Sequence, residues 1–220
     1  MTQVRDVIVD SDERVGDGGF LALRRLRLRN QRADGSVSAQ YVCDAVVRPY
    51  GQDAVVVAVY ARTVRGIEVL VRHGLRPTLT MGRDPARAPL PEEKCGLFMT
   101  ELVAGIIEEG DRGEAGLHAR AAAEVLEEAG FLVEQDSIAL LGAGMFPSPG
   151  CLVEKFYFAA VEVDPATQQP LPGDGSPMEE GAHTTWLLLD DAIAACHSGV
   201  LTDLKTELGL HRLRDHLRTR

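Results

Sequence analysis

Three glutamates, Glu124, Glu127 and Glu128, stand close together in AEVLEEAG (123–130). Helical residues turn by about 100° each, so the three carboxylates would share an arc of roughly 100° on one side of a helix. Like charges at that spacing repel. Arg120, four residues before Glu124, is the one cation on the same face. The segment is otherwise rich in alanine and apolar residues, so its remaining sides read as buried. Carboxylates crowded beside a buried face are the hard oxygen donors that Mg2+ or Mn2+ prefers. The plainer alternative is an acidic face turned to water.

The elements that must position these carboxylates are mostly strands. ARAAAEVLEEAG (119–130) is dense in helix formers and stops at Gly130, a good place for a left-handed cap, and the glycine-rich turn EEGDRGEAG leads into it. AVVVAVYAR (54–62), GIEVLVRHG (66–74), LFMTELVAGII (97–107), SIALLGAGMF, VEKFYFAAVEV and TTWLLL read as extended. DDAIAACHSG and DLKTELGLHRLRDHL read as helices, and MGRDPARAPLPEEKCG (81–96) and PATQQPLPGDGSPMEEG (165–181) as polar surface loops. Ahead of them, FLALRRLRLRNQRADGSVSAQYVCDAVV alternates apolar and charged residues around the turn Ala33-Asp34-Gly35. That pattern predicts a hairpin with Arg24, Arg25, Arg27, Arg29 and Arg32 on its wet face. The order predicts an α+β domain with a mixed sheet over 46–220, preceded by a small antiparallel β element over 1–45.

Bulk properties narrow the chemistry. The chain has 220 residues, 25% of them charged, and a net charge of −10, which weighs against a general grip on nucleic acid. No apolar run approaches the roughly 20 residues that cross a bilayer, and MTQVRDVIVDSDERVGD lacks the features of a signal peptide, so the expected setting is cytoplasmic and away from membranes. Cys43, Cys95, Cys151 and Cys196 have no metal-ligand spacing and read as isolated buried thiols. His73 and His183 read as structural, and Trp186 as core.

The glutamate segment resembles the signature of the Nudix hydrolases: a glycine, five residues, a glutamate, seven residues, then Arg-Glu-U-x-Glu-Glu-x-Gly-U, where U is bulky and apolar. Gly105 and then Glu124-Val125-Leu126-Glu127-Glu128-Ala129-Gly130-Phe131 match it. Asp111 replaces the first glutamate, Ala123 replaces the arginine, and eleven residues stand between them instead of seven. The extra four are expected to lengthen the loop before the helix, and Arg120 to take the arginine's part in orienting the glutamates.

Other stretches are similar to the ADP-ribose and nucleotide-sugar pyrophosphatases of that family: Glu101-Leu102-Val103-Ala104-Gly105, Gly74-Leu75-Arg76-Pro77, Ser148-Pro149-Gly150 followed by Glu154, and Met178-Glu179-Glu180 before Trp186. The resemblance implies a Nudix fold, a mixed sheet between helices. It implies Mg2+-dependent (or Mn2+-dependent) hydrolysis of the diphosphate linkage of ADP-ribose or a related nucleotide sugar. By resemblance, Glu124, Glu127, Glu128 and the Ala104 carbonyl hold metal. Glu127 and Glu128 also count as catalytic, and Glu180, with Glu179 next, is the candidate base. Arg76, Glu154, Gly105 and Arg48 face substrate. The N-terminal β element is expected to make a homodimer. Two other readings stay open: a non-catalytic nucleotide sensor, and a hydrolase of NADH or dinucleotide polyphosphates.

Overall fold

The computed structural model describes residues 4–16, 19–92, 95–172 and 175–219. The chain divides into two compact units, Met1–Asp53 with Met145–Lys155, and Ala54–Gly144 with Phe156–Arg220.

The first unit is an antiparallel sheet of β1 (Val4–Val15), β2 (Ala22–Arg32) and β3 (Tyr41–Val47), with β2 central. The predicted hairpin is β2–β3, and Asp34 accepts hydrogen bonds from the Ser36 N–H and hydroxyl in its connection. The arginines of β2 do not simply face water. Arg25 forks onto Asp44 of β3 at 2.9 and 2.7 Å, Arg29 meets Asp10 of β1, Arg27 meets Glu13 at 3.2 Å, and Arg24 pairs with Asp12. Pairs this exposed contribute about 0–1 kcal/mol each, so they fix register more than they stabilise.

The second unit holds β4 (Ala54–Thr63), β5 (Gly66–Leu75), α1 (Pro77–Gly82), β6 (Phe98–Glu101), β7 (Val103–Ile106), α2 (Gly113–Ala129), β8 (Ala139–Leu140), β9 (Phe156–Glu162), β10 (His183–Leu188), α3 (Leu189–His197) and α4 (Leu204–Arg218). Its mixed seven-stranded sheet runs β10-β5-β4-β9-β8, with β6 on β5 and β7 on β4. The β4–β9 pair is parallel, which requires a crossover, and α2 lies in that crossover. Strand β4 is buried on both faces, and its side chains alternate. Val55, Val57 and Val59 join Ala121, Val125, Ala129 and Phe131 of the α2 side. Val56, Ala58 and Tyr60 join Ala192, Ile193, Leu210 and Leu213 of α3 and α4. The sheet is therefore packed between helices, the α+β arrangement expected from the sequence. Among the described residues, no helix is long and apolar enough to cross a membrane.

Several expectations need correction. The helix begins at Gly113, not near residue 119, so the four extra residues add a helical turn rather than loop. SIALLGAGMF gives only the two-residue strand β8, because Gly142 (φ +77°) turns the chain away from the sheet. LFMTELVAGII is extended but splits at Leu102, whose N–H leaves the sheet to donate to Thr206 Oγ1 at 2.8 Å. Met81 and Gly82 end the short helix α1 rather than opening a loop. Of the four free cysteines only Cys196 is buried.

Candidate active site

Helix α2 starts beside a tight turn. Asp111 accepts from the Glu108 N–H at 3.0 Å and from Arg120 Nε at 2.8 Å, while Arg120 Nη2 reaches Glu108 at 3.0 Å. Arg120 Nη1 then lies 3.9 Å from Glu124. The arginine one turn before Glu124 thus clamps the start of the helix and places its charge against the first carboxylate. At the other end Gly130 adopts φ +74°, and a Cβ there would stand 2.2 Å from the Gln169 carbonyl oxygen. The Gln169 N–H donates to the Gly130 carbonyl at 2.8 Å and Gln168 Nε2 to the Ala129 carbonyl at 3.0 Å. Gln168 and Gln169 of the polar segment after β9 are therefore pinned to the end of α2.

Between these ends the carboxylates meet β7. Glu124 is 9% exposed and its carboxyl group lies directly over Gly105: a Cβ on Gly105 would fall 1.7 Å from Glu124 Cδ. Only a residue without a side chain lets the carboxylate sit there. Burial, then the charges of Glu128 and Glu127, push the Glu124 carboxyl up to about 8. Burial also raises Glu128, opposed by Arg72 and by the Ala104 N–H, which donates to Glu128 Oε2 at 3.0 Å.

Arg72, on β5, is a site residue that sequence reading missed. It is 5% exposed, and its Nη1 lies 3.3 Å from Glu128 Oε1 while Nη2 reaches Glu179 Oε1 at 3.2 Å. One buried guanidinium thus joins α2 to the 3-10 turn Pro177–Glu179. Glu180 caps that turn and is exposed. Arg76 is committed to Glu101, with Nε to Oε1 at 3.1 Å and Nη2 to Oε2 at 2.7 Å, and Lys205 of α4 stands 3.3 Å from the same carboxylate.

Gly105, Glu124 and Ala104, Glu128 are thus brought into contact, and Glu127 acts on Glu124 through its charge. Arg48 and Glu154 belong to the first unit, where they pair at 2.6 Å with Arg48 set 5.4 Å over the Phe20 ring. His73 and His183 stack with centroids 4.5 Å apart, and both His73 nitrogens are engaged, with Thr100 at 2.8 Å and Thr185 at 3.2 Å. Trp186 is partly buried and meets Phe131 edge-on.

The residues fit a hard divalent cation by chemistry. Every donor is oxygen, and a carboxyl raised to about 8 by burial and like charge is one that a cation would restore to its ionised form.

No protein-family model matches the chain, and no curated protein matches it. Solved structures do. The crystal structure of an ADP compounds hydrolase superposes with a TM-score of 0.69, covering 100% of this chain and 98% of the other at 11% sequence identity. The two share the Nudix fold.

Proposed function

We propose that this chain hydrolyses the diphosphate linkage of a nucleoside diphosphate derivative, ADP-ribose or a related nucleotide sugar, to a nucleoside monophosphate and a sugar phosphate, with Mg2+ as cofactor. One observation carries the reading: the buried Glu124 carboxyl seated over Gly105, with the Glu127 and Glu128 charges on the same helix face. The fold shared with an ADP compounds hydrolase supports it.

Glu124, Glu127, Glu128 and the Ala104 carbonyl would hold the ion. Bound there, Mg2+ supplies charge neutralisation for the diphosphate and lowers the pKa of coordinated water. The chain's own residues do the rest. Gly105, having no side chain, leaves room for the Glu124 carboxyl beside the metal-holding group. Arg72 holds Glu128 and Glu179 in fixed relation. A glutamate of the Pro177–Glu179 turn or its cap, Glu180 or Glu179, takes the proton from the attacking water. Arg76 would bind a phosphate by exchanging Glu101 for it, its planar fork suiting either partner.

The test is release of nucleoside monophosphate from a panel of ADP-ribose, nucleotide sugars, NADH and dinucleotide polyphosphates with Mg2+. Turnover should be fastest on ADP-ribose or a nucleotide sugar, and Glu124→Gln should lower kcat by at least about 100-fold. Ala123 in the place of the signature arginine favours one rival reading, a nucleotide sensor. Tight binding of one compound without turnover of any would establish that reading instead.

A further inference from the structure

Helix α3 ends on His197, and α4 presents Glu207 and His211 four residues apart on one side. The two helices bring these three side chains together, with one ligating atom from each within 4.8 Å of the other two. His197 Nε2 lies 3.8 Å from Glu207 Oε1, and the two imidazoles stack with centroids 5.5 Å apart at 29°. None of the three belongs to the carboxylate site of α2. His197 and Glu207 have side chains 61% and 41% exposed, so an ion reaches them without opening the core.

The structure assigns to His197, Glu207 and His211 a second metal site, for Zn2+ or a similar late transition-metal ion. Two imidazole nitrogens and one carboxylate oxygen form a donor set that zinc takes, whereas Mg2+ demands oxygen. Tetrahedral zinc with bonds of about 2.0–2.2 Å has donor–donor edges of about 3.4 Å. The 3.8 Å nitrogen–oxygen separation is already near that edge, and side-chain rotation would have to close the rest from within 4.8 Å. Three protein ligands leave a fourth position for water. The other histidine pair offers a contrast, since His73 has both ring nitrogens occupied by threonine hydroxyls.

Arg214 sets the affinity. Its Nη2 lies 2.8 Å from His211 Nδ1, one turn along α4. An ion at Nδ1 must displace the guanidinium. An ion at Nε2 leaves Nδ1 protonated and unable to accept from it. In either case the arginine competes with the metal. A bound ion ties the last residue of α3 to the N-terminal half of α4 and stabilises the fold by mass action.

The experiment titrates the full chain with Co2+ followed by visible absorption, then displaces it with Zn2+. One equivalent should give a visible band that excess Mg2+ leaves unchanged. The imidazole resonances of His197 and His211 should shift on adding Zn2+, and those of His73 and His183 should not. The His197→Gln/His211→Gln variant should lose the band, and Arg214→Gln should bind roughly tenfold more tightly, the worth of one hydrogen bond to a charged group. An unchanged band in the double variant, absence of any band in the unaltered chain, or shifts confined to His73 and His183 would overturn the assignment.

Discussion

At the residue scale the telling group is Glu124. Its carboxyl is raised from 4.5 to about 8 in the metal-free protein, first by burial and then by Glu128 and Glu127. Between those values the folded state holds a proton that the unfolded chain has lost, so stability falls as pH rises from about 4.5 to 8. The loss from this one group is on the order of 3–5 kcal/mol. Denaturant unfolding of metal-free protein at pH 5 and at pH 8 should show that drop. Glu124→Gln should flatten it, and Mg2+ at pH 8 should restore stability to the unaltered chain only. Gly105→Ala tests the same contact from the other side. The methyl group would displace the Glu124 carboxyl, so metal-dependent stabilisation should vanish even where the variant folds.

At the element scale, much of α2 was legible because its signals are local. Helix formers, the three-and-four spacing of the glutamates and a terminal glycine all lie within one stretch. Its first turn was not legible. Gly113 and Gly116 disfavour a helix by about 1 kcal/mol each, so EEGDRGEAG reads as a turn. The structure overrides this through Glu114 in the first turn, where the helix dipole welcomes it, and through the Arg120 clamp on Asp111 and Glu108. The added turn leaves the glutamates on the face they would occupy without it, because four residues nearly close a helical repeat. Arg72 escaped notice for a different reason. Within GIEVLVRHG it reads as one polar position of a strand, and its partners Glu128 and Glu179 lie far along the chain. Removing it leaves two acidic groups without their buried cation, so Arg72→Met should cost about 3–5 kcal/mol in chemical denaturation. Gly130→Ala should cost at least about 1–2 kcal/mol, since it strains a left-handed residue and strikes the Gln169 carbonyl. It should also release Gln168 and Gln169 from the end of α2, read as faster amide exchange at Gln169.

At the scale of the whole molecule, the two units differ in how they dispose of apolar surface. In the second, β4 is covered on both faces by helices and its valines are fully buried. The first is a three-stranded sheet whose outer strand β3 is met at Val46 by Cys151 and Leu152, and it leaves large apolar groups in water. Phe20 is 66% exposed, Val42 55%, Tyr50 83% and Phe146 51%. Val42 lies on β3, an edge strand of that sheet, where open backbone groups and apolar side chains together invite pairing with another chain. A second copy of this chain is the occupant we propose, in keeping with the homodimer that the family resemblance implies. Light scattering at micromolar concentration should then give about twice the 23.8 kDa chain mass. Val42→Lys, which places a charge on the edge without touching any buried residue, should return the mass to that of one chain and leave the unfolding midpoint of the second unit unchanged. A single-chain mass for the unaltered protein would remove the dimer from the reading while leaving the α2 carboxylates and their chemistry as they stand.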